Sequence, residues 1–249
     1  MFDRSLIRRW SAECLGALAD LAFPLDCVIC GQDGTRTPFC DDCRAELREA
    51  RGEACPRCAL GLGPWARSDG GCSVCRDQTL GFDAALALGP YQGPIREVCL
   101  RLKHQRDAWL APWVADLLTE ARGAELQRER PDGVVAVPLH WSRKLRRGYN
   151  QADALAAGLA RRLGVRLRPA LRRIVATEPL AGLGRTERDL LMKRAFRARN
   201  RVRLQGQTII LVDDILTTGA TCGAAARALK KAGARRVIVA VIGRAEGNC

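Results

Sequence analysis

The sequence predicts an α/β protein, a mostly parallel sheet flanked by helices, preceded by an N-terminal helix and a small cysteine-rich domain. Three observations lead there. From Gly81 onward, short apolar runs of strand length alternate with helical stripes. Four CxxC pairs crowd the first third of the chain. Between residues 25 and 78 no periodicity is sustained, and Gly, Pro, Cys and Arg are abundant, as in a fold held by metal rather than by burial.

Taken in order, Leu6, Trp10, Cys14, Leu18 and Leu21 recur at helical spacing, which predicts an amphipathic helix. Asp3, Arg8, Arg9, Glu13 and Asp20 interrupt the apolar residues around it, so no signal-peptide core forms and a cytoplasmic protein is expected. The change of texture near residue 79 divides the chain into domains 1–79 and 80–249. Phe82 to Leu88 reads as a strand ended by Gly89 and Pro90. Ile95, Val98, Cys99 and Leu102 mark one helix face, and Leu110, Trp113, Val114, Leu117 and Leu118 another. Val134 to Val137 reads as a buried strand, followed by a basic loop from Pro138 to Gln151. Ala152, Leu155, Ala156, Leu159 and Leu163 form a helical stripe stopped by Gly164. Gln207 to Asp214 then reads as a strand, Ala220 to Lys231 as a helix, and Val237 to Ile242 as a buried strand.

With 47% hydrophobic residues, the 249-residue chain can build a core, which excludes wholesale disorder. No uninterrupted apolar run of about 18 residues is present to span a membrane. The formal net charge is +14, and Arg supplies 36 of the 41 cations. Such a field attracts polyanions, and the planar guanidinium fork binds two phosphate oxygens at once. Phosphorylated metabolites and nucleic acid both fit.

The paired cysteines are Cys27/Cys30, Cys40/Cys43, Cys55/Cys58 and Cys72/Cys75. In a reducing compartment such pairs bind metal, and one tight turn aims both thiolates at one ion. Four thiolates suit tetrahedral Zn²⁺, so eight cysteines make two structural sites. Sequential grouping closes the shortest loops, and interleaved grouping is the alternative. Two occupied sites would lower the net charge from +14 to about +10. Cys14, Cys99 and Cys222 fall in helical patterns and are expected simply to pack.

The richest segment runs from Ile209 to Thr221. An apolar strand ends in Asp213 and Asp214, where open parallel sheets present their ligands. Thr217, Thr218, Gly219, Ala220 and Thr221 follow and lead into a helix. Backbone N–H groups in such a turn, the helix dipole and the Thr hydroxyls suit a phosphate monoester. Two adjacent carboxylates suit a vicinal diol. Together they describe a ribose 5-phosphate. The basic stretch after the Val134 strand supplies Arg143, Lys144, Arg146 and Arg147, which suit a pyrophosphate. His104 and His140 show no acid–base partner in the sequence.

An acidic pair followed by TTGAT resembles the signature of type I phosphoribosyltransferases. That resemblance implies that Asp213 and Asp214 hold the ribose hydroxyls and that Thr217 to Thr221 hold the 5′-phosphate. Four CxxC pairs ahead of such a loop, with R-x-x-x-R-G-Y-N-Q from Arg143 to Gln151 and the Leu102-Lys103 pair, resemble the ComF family of competence proteins. In that family a double zinc ribbon precedes a phosphoribosyltransferase domain. Thr177, Arg188, Ala195 and Phe196 resemble the loop that closes over substrate, making Arg188 a catalytic candidate beside the acids. Leu180 and Leu191 stand where the family pattern has Gln and Asn.

Two functions follow from the resemblance. One is a protein that binds phosphoribosyl pyrophosphate with Mg²⁺ and handles single-stranded DNA with the DNA-uptake machinery. The other is an active transferase releasing pyrophosphate to a base or amine, with Mg²⁺ on the pyrophosphate and Lys103, Arg143 and Arg147 beside it.

Overall fold

A computed structural model of the chain describes residues 25–50, 52–63, 70–175, 194–200 and 202–245. The expected N-terminal helix and the segment with Thr177, Leu180, Arg188 and Leu191 lie outside these residues. Two compact units form, Met1–Glu46 and Leu47–Cys249. The second pair of CxxC motifs therefore shares a unit with the sheet, although composition changes only near residue 79.

In the first unit, Cys27, Cys30, Cys40 and Cys43 bring their sulfurs within 4.8 Å of one another. The knuckle is closed by Gly31 N donating to the Cys27 carbonyl at 2.9 Å, and Gly31 takes the left-handed φ of 74° that the turn requires. Helix α1 (Asp41–Glu49) follows Cys40 directly, with Asp41 and Asp42 in its first turn, where the helix dipole favours negative charge.

In the second unit, Cys55, Cys58, Cys72 and Cys75 form a like cluster within 4.8 Å, all four buried. The grouping is thus sequential in both cases. Sulfur–sulfur separations are 3.7 Å for Cys30–Cys40, 3.7 Å for Cys55–Cys75 and 3.6 Å for Cys58–Cys72. A tetrahedron with zinc–sulfur bonds of about 2.3 Å has edges of about 3.8 Å, so both clusters fit this metal. Arg57 braces the second one, donating to the carbonyls of Cys75 at 2.8 Å, Arg76 at 2.9 Å and Gln78 at 2.6 Å.

The sheet contains strands β1 (Ala84–Pro90), β2 (Gly133–Ala136), β3 (Arg166–Leu167), β6 (Thr208–Leu216) and β7 (Arg236–Arg244). They run in the order β1-β7-β6-β2-β3, and every pairing is parallel. Strand β1 continues through Gly89 and Pro90, because Gly89 pairs with Gly243 and Pro90 with Arg244. Pro is tolerated there because β1 lies at the sheet's edge.

Side chains alternate across each strand. Ile209, Leu211, Val237, Val239, Val241, Val135 and Val137 share one cluster with helix α6 (Ala220–Lys231) and the second tetracysteine set. The alternate residues Ile210, Val212, Ile238, Ala240 and Ile242 are equally buried. On that other face pack helices α3 (Ala111–Arg128) and α5 (Gln151–Leu163), which lie against each other, with α2 (Gly93–Arg101) against β1 and β7. The stripes in these helices are where the periodicity expects them, and Gly164 caps α5 in the left-handed conformation.

Besides the end of β1 and the short β3, two further features depart from the sequence reading. Trp141–Arg147, expected as loop, is a short helix α4, with the His140 side chain accepting from Ser142 N and left-handed Gly148 at its end. No Pro or Gly interrupts these seven residues, which are mostly good helix formers. An antiparallel pair, β4 (Leu171–Arg173) and β5 (Phe196–Ala198), was not expected at all. Three residues are too few to display a period, and the pairing joins distant parts of the chain.

Two zinc ions per chain are expected, and metal analysis returning fewer would refute the reading of the clusters. Because the second set belongs to the sheet's own core, Cys58→Ser should lower the thermal midpoint of the sheet unit, whereas Cys27→Ser should leave it unchanged. Calorimetry on the two variants checks the difference.

Candidate functional site

Strand order reverses its direction of travel between β6 and β2. From β6 the chain crosses through α6 to β7 on one side, and from β2 through α4 and α5 to β3 on the other. A crevice opens at the carboxyl ends of strands at such a point. Here it is deepened by unequal length: β2 makes its last pair at Ala136–Val212, while β6 continues beside β7 as far as Leu216. Asp213 and Asp214 therefore stand just past the end of β2.

Being consecutive on a strand, the two acids face opposite sides of the sheet, and each is held by the helix on its own side. Asp213 Oδ2 lies 3.7 Å from the Cys222 thiol of α6, and its Oδ1 accepts from Asp214 N at 2.9 Å. Asp214 Oδ2 accepts from Gln151 Nε2 of α5 at 2.9 Å, and its Oδ1 from Ile215 N at 2.8 Å. Burial, with the Asp214 charge adjacent, holds the Asp213 carboxyl well above the usual carboxylate range. Burial and then the Asp213 charge raise the Cys222 thiol, so the sulfur stays protonated and points its donor at the acid.

The turn into α6 begins with Thr217 and Thr218, both exposed, followed by buried Gly219 at φ 80°. Left-handed backbone favours glycine here, and the Phe82 ring stands 3.5 Å from where a Cβ would be. Gly223 N donates to the Gly219 carbonyl at 2.7 Å, which starts the helix and leaves the preceding N–H groups to face outward.

A cleft of about 240 Å³ joins these parts. Lys103, Arg143, Arg147, Asp213, Asp214, Thr217, Gly219 and Thr221 all line it. Of the residues expected on sequence grounds, Thr218, Ala220 and Lys144 do not line it among the described residues, and Arg188 lies outside those residues. Thr218 Oγ1 is 3.4 Å from Ala220 N, an internal contact of the turn. Lys144 is 3.7 Å from Asp153 on the surface, a pair worth little in water. Larger hollows of about 790 and 1240 Å³ lie away from this crevice. Volume does not decide between them; the converging acids, cations and helix start do.

Among the lining residues with a hydrogen-bonding side chain, three were missed as site residues: Gln151, Arg173 and Cys222. Gln151 is 4% exposed and orients Asp214, yet its Oε1 has no partner among the described residues. A buried acceptor left open at a cleft wall is costly unless a ligand or water supplies a donor. Arg173 comes from the unexpected hairpin, where burial and then the Arg143 charge lower its pKa. Only the Asn-Gln pair closing the basic stretch offered a signal for Gln151; nothing in the sequence marked Arg173. Of the histidines, His140 caps α4 and His104 lies on the surface. Cys99 is buried in its helix, as the packing reading requires, whereas Cys222, equally buried, also lines the cleft beside Asp213.

Among the described residues no helix is long and apolar enough to cross a membrane. Residues 18–79 match the double zinc ribbon domain, and residues 146–246 the phosphoribosyl transferase domain. The chain is 31% identical to competence protein F of Haemophilus influenzae, over 83% of this chain and 90% of that protein. It is 33% identical to the DNA utilization protein YhgH of Salmonella typhimurium, over 81% and 88%. To competence protein ComFC of Bacillus subtilis it is 31% identical, over 78% of each. With both domains matched in this order and relatives of this name aligned over most of the chain, the chain belongs to the ComF family, a double zinc ribbon joined to a phosphoribosyltransferase domain.

Proposed function

We propose that this protein binds phosphoribosyl pyrophosphate, or a closely related ribose 5-phosphate, with Mg²⁺, and that it handles single-stranded DNA during DNA uptake in the cytoplasm. The functional boundary we propose is near residue 79, with the metal module before it and the ligand domain, 80–249, after it. The observation that carries the ligand reading is the cleft's division of labour. The cleft brings together Asp213 and Asp214, Thr217, Gly219 and Thr221 of the turn, and the cations Lys103, Arg143, Arg147 and Arg173. The turn takes the 5′-phosphate, the acids take the ribose hydroxyls, and the cations take the pyrophosphate. The open Gln151 acceptor fits a further sugar hydroxyl. Mg²⁺ would neutralise the pyrophosphate and bind through its oxygens with water completing the shell.

The same parts would serve a transferase, with the cations stabilising departing pyrophosphate and the acids a positive ribose. Pyrophosphate release on adding a base or amine is the measurement that separates turnover from binding alone.

The DNA reading rests on the relatives named for competence and DNA utilization, and on helix α4. Trp141 is 67% exposed and Leu145 75% exposed, on a helix that also carries Arg143, Lys144, Arg146 and Arg147 and no acid. An exposed aromatic among cations is what binding to single strands uses. The sequence alone did not mark this aromatic, since exposure is a property of the fold. Proteins of the uptake machinery are the partners this reading implies.

Calorimetry with Mg²⁺ should show phosphoribosyl pyrophosphate binding to the wild type. Asp213→Asn/Asp214→Asn should weaken it at least tenfold, since a charge-assisted hydrogen bond contributes about 1.5–3 kcal/mol. Equal affinities would refute the role of the acids, and a silent wild type the ligand itself.

Asp213→Asn should also stabilise the ligand-free, Mg²⁺-free protein. The folded carboxyl titrates well above its ordinary value of 3.8, so folding favours the protonated acid. Stability contributed by that proton is present at low pH and lost as pH rises from 3.8 through the folded value. The variant's advantage should therefore grow across that window and then level off, at about 2–4 °C in midpoint per kcal/mol relieved. A midpoint below wild type at neutral pH would contradict it.

For DNA, affinity for single strands should fall steeply between about 50 and 200 mM salt. Trp141→Ala should cost about 1–3 kcal/mol per stacked base, or roughly fivefold or more in affinity. Fluorescence anisotropy with a labelled oligonucleotide reads both, and an unaffected Trp141→Ala would remove the stacking role.

A further inference from the structure

Arg244, the last residue of β7, is 6% exposed. Its hydrogen-bond acceptors among the described residues are all main-chain carbonyls. Nε donates to Cys58 at 2.8 Å, and Nη1 donates to Leu216 at 3.0 Å, to Thr217 at 2.6 Å and to Ala245. One guanidinium thus bridges a cysteine of the second tetracysteine set and the first residue of the turn that opens the phosphate-type loop. The parallel register sets this position, since Arg244 pairs with Leu216 of β6 and with Pro90 of β1.

A second, separate contact joins the same two regions. The chain leaving Cys75 reaches Leu80 and Gly81 and lies backbone against backbone on the start of α6. A Cβ at Gly223 would meet the Leu80 carbonyl oxygen at 2.1 Å, and a Cβ at Gly81 the Gly223 oxygen at 2.6 Å. Both positions exclude a side chain, and Gly81 has a φ of 85°. Phe82, next along, is the residue against Gly219. The exit of the metal site is therefore part of the wall behind the loop.

Charge makes the link reciprocal. Four thiolates within 4.8 Å cannot coexist without a cation, and with zinc the cluster still carries a net charge of about −2. Arg244 is a buried cation lacking a carboxylate among its partners above, and a buried cation needs compensation nearby. The metal-bound thiolate cluster beyond the Cys58 carbonyl would supply it on one side, and an anion at the loop beyond the Thr217 carbonyl on the other. Without zinc, a cluster of this kind loses its fold, and Arg244 loses the Cys58 carbonyl that anchors it.

We propose that Arg244 is a positioning residue that couples zinc at Cys55, Cys58, Cys72 and Cys75 to anion binding at Thr217–Thr221, so that each strengthens the other. The proposal rests on reading that loop as the phosphate site. Linkage requires the effect to be mutual: a ligand that needs the anchored loop must tighten the second zinc by the factor by which that zinc tightens the ligand. Zinc at Cys27, Cys30, Cys40 and Cys43 lies in the other compact unit and serves as an internal control.

The test is zinc transfer from the full-length protein to a metallochromic chelator, with and without Mg²⁺ and phosphoribosyl pyrophosphate. Calorimetry on the same samples records whether the ligand is bound. One of the two ions should leave at least threefold more slowly with ligand, up to roughly a hundredfold at about 100 times its Kd, while the other is unaffected. Arg244→Lys keeps the charge but replaces a fork reaching several carbonyls with a point donor, and it should abolish the protection at saturating ligand. Bound ligand with unchanged release of both ions, equal slowing of both, or full protection in Arg244→Lys would each overturn the coupling. The wild-type measurement stands even where the variant folds poorly. No calorimetric binding to the wild type would overturn the phosphate-site reading and the coupling with it, whereas binding without protection removes the coupling alone.

Discussion

The site depends on one constraint, the parallel pairing that carries β6 beyond the end of β2 while keeping it bound to β7. A strand that has lost one neighbour would ordinarily expose its backbone groups on that side. Continued pairing with β7 to Leu216–Arg244 holds it straight. The result is a rail paired on one side with one open flank, and the open flank is the cleft. Asp213 and Asp214 are placed by that pairing, and their side chains point apart because consecutive strand residues face opposite ways.

From that rail the surrounding chemistry follows. Asp213 is held toward α6 by Cys222, and Asp214 toward α5 by Gln151. Burial first, and then the neighbouring Asp214 charge, is why Asp213 resists ionisation. In the proposed function, a bound ligand would offset that buried charge. The cations that would answer it come from three separate places: Lys103 after α2, Arg143 and Arg147 on α4, and Arg173 on the hairpin. No single segment contains the site, so the sheet has to assemble it.

The cysteine sets differ in what they support. The first holds its own small unit, where Cys27, Cys40 and Cys43 form a small buried cluster with Ile29 packed against it. Sulfurs of the second join the apolar cluster under the sheet. Zinc there would hold part of the sheet's covering layer as well as a knuckle. A composition boundary near residue 79 and a compactness boundary at Glu46–Leu47 are therefore different properties of one chain.

By itself the sequence determined the α/β class, the eight metal-binding cysteines though not their grouping, the main helices and strands, and the loop from Asp213 to Thr221. These are local signals, carried by period, by CxxC spacing and by a contiguous strand–turn–helix pattern. Helix α6 begins and ends at the residues its pattern indicates, Ala220 and Lys231. Tertiary structure alone decided which cations enter the cleft. Lys144 and Arg147 are near neighbours in one basic run, yet Arg147 lines the cleft and Lys144 does not, because residues on a helix point in different directions. It also decided the places of Arg173, Gln151 and Arg244. Each owes its position to a partner far along the chain: the β4–β5 pairing, the end of β6 and the second cysteine set. Local sequence specifies what a residue is able to do, and long-range pairing specifies what it meets. For a site built from strand ends, the second is set by register and crossover, which no short stretch of sequence records.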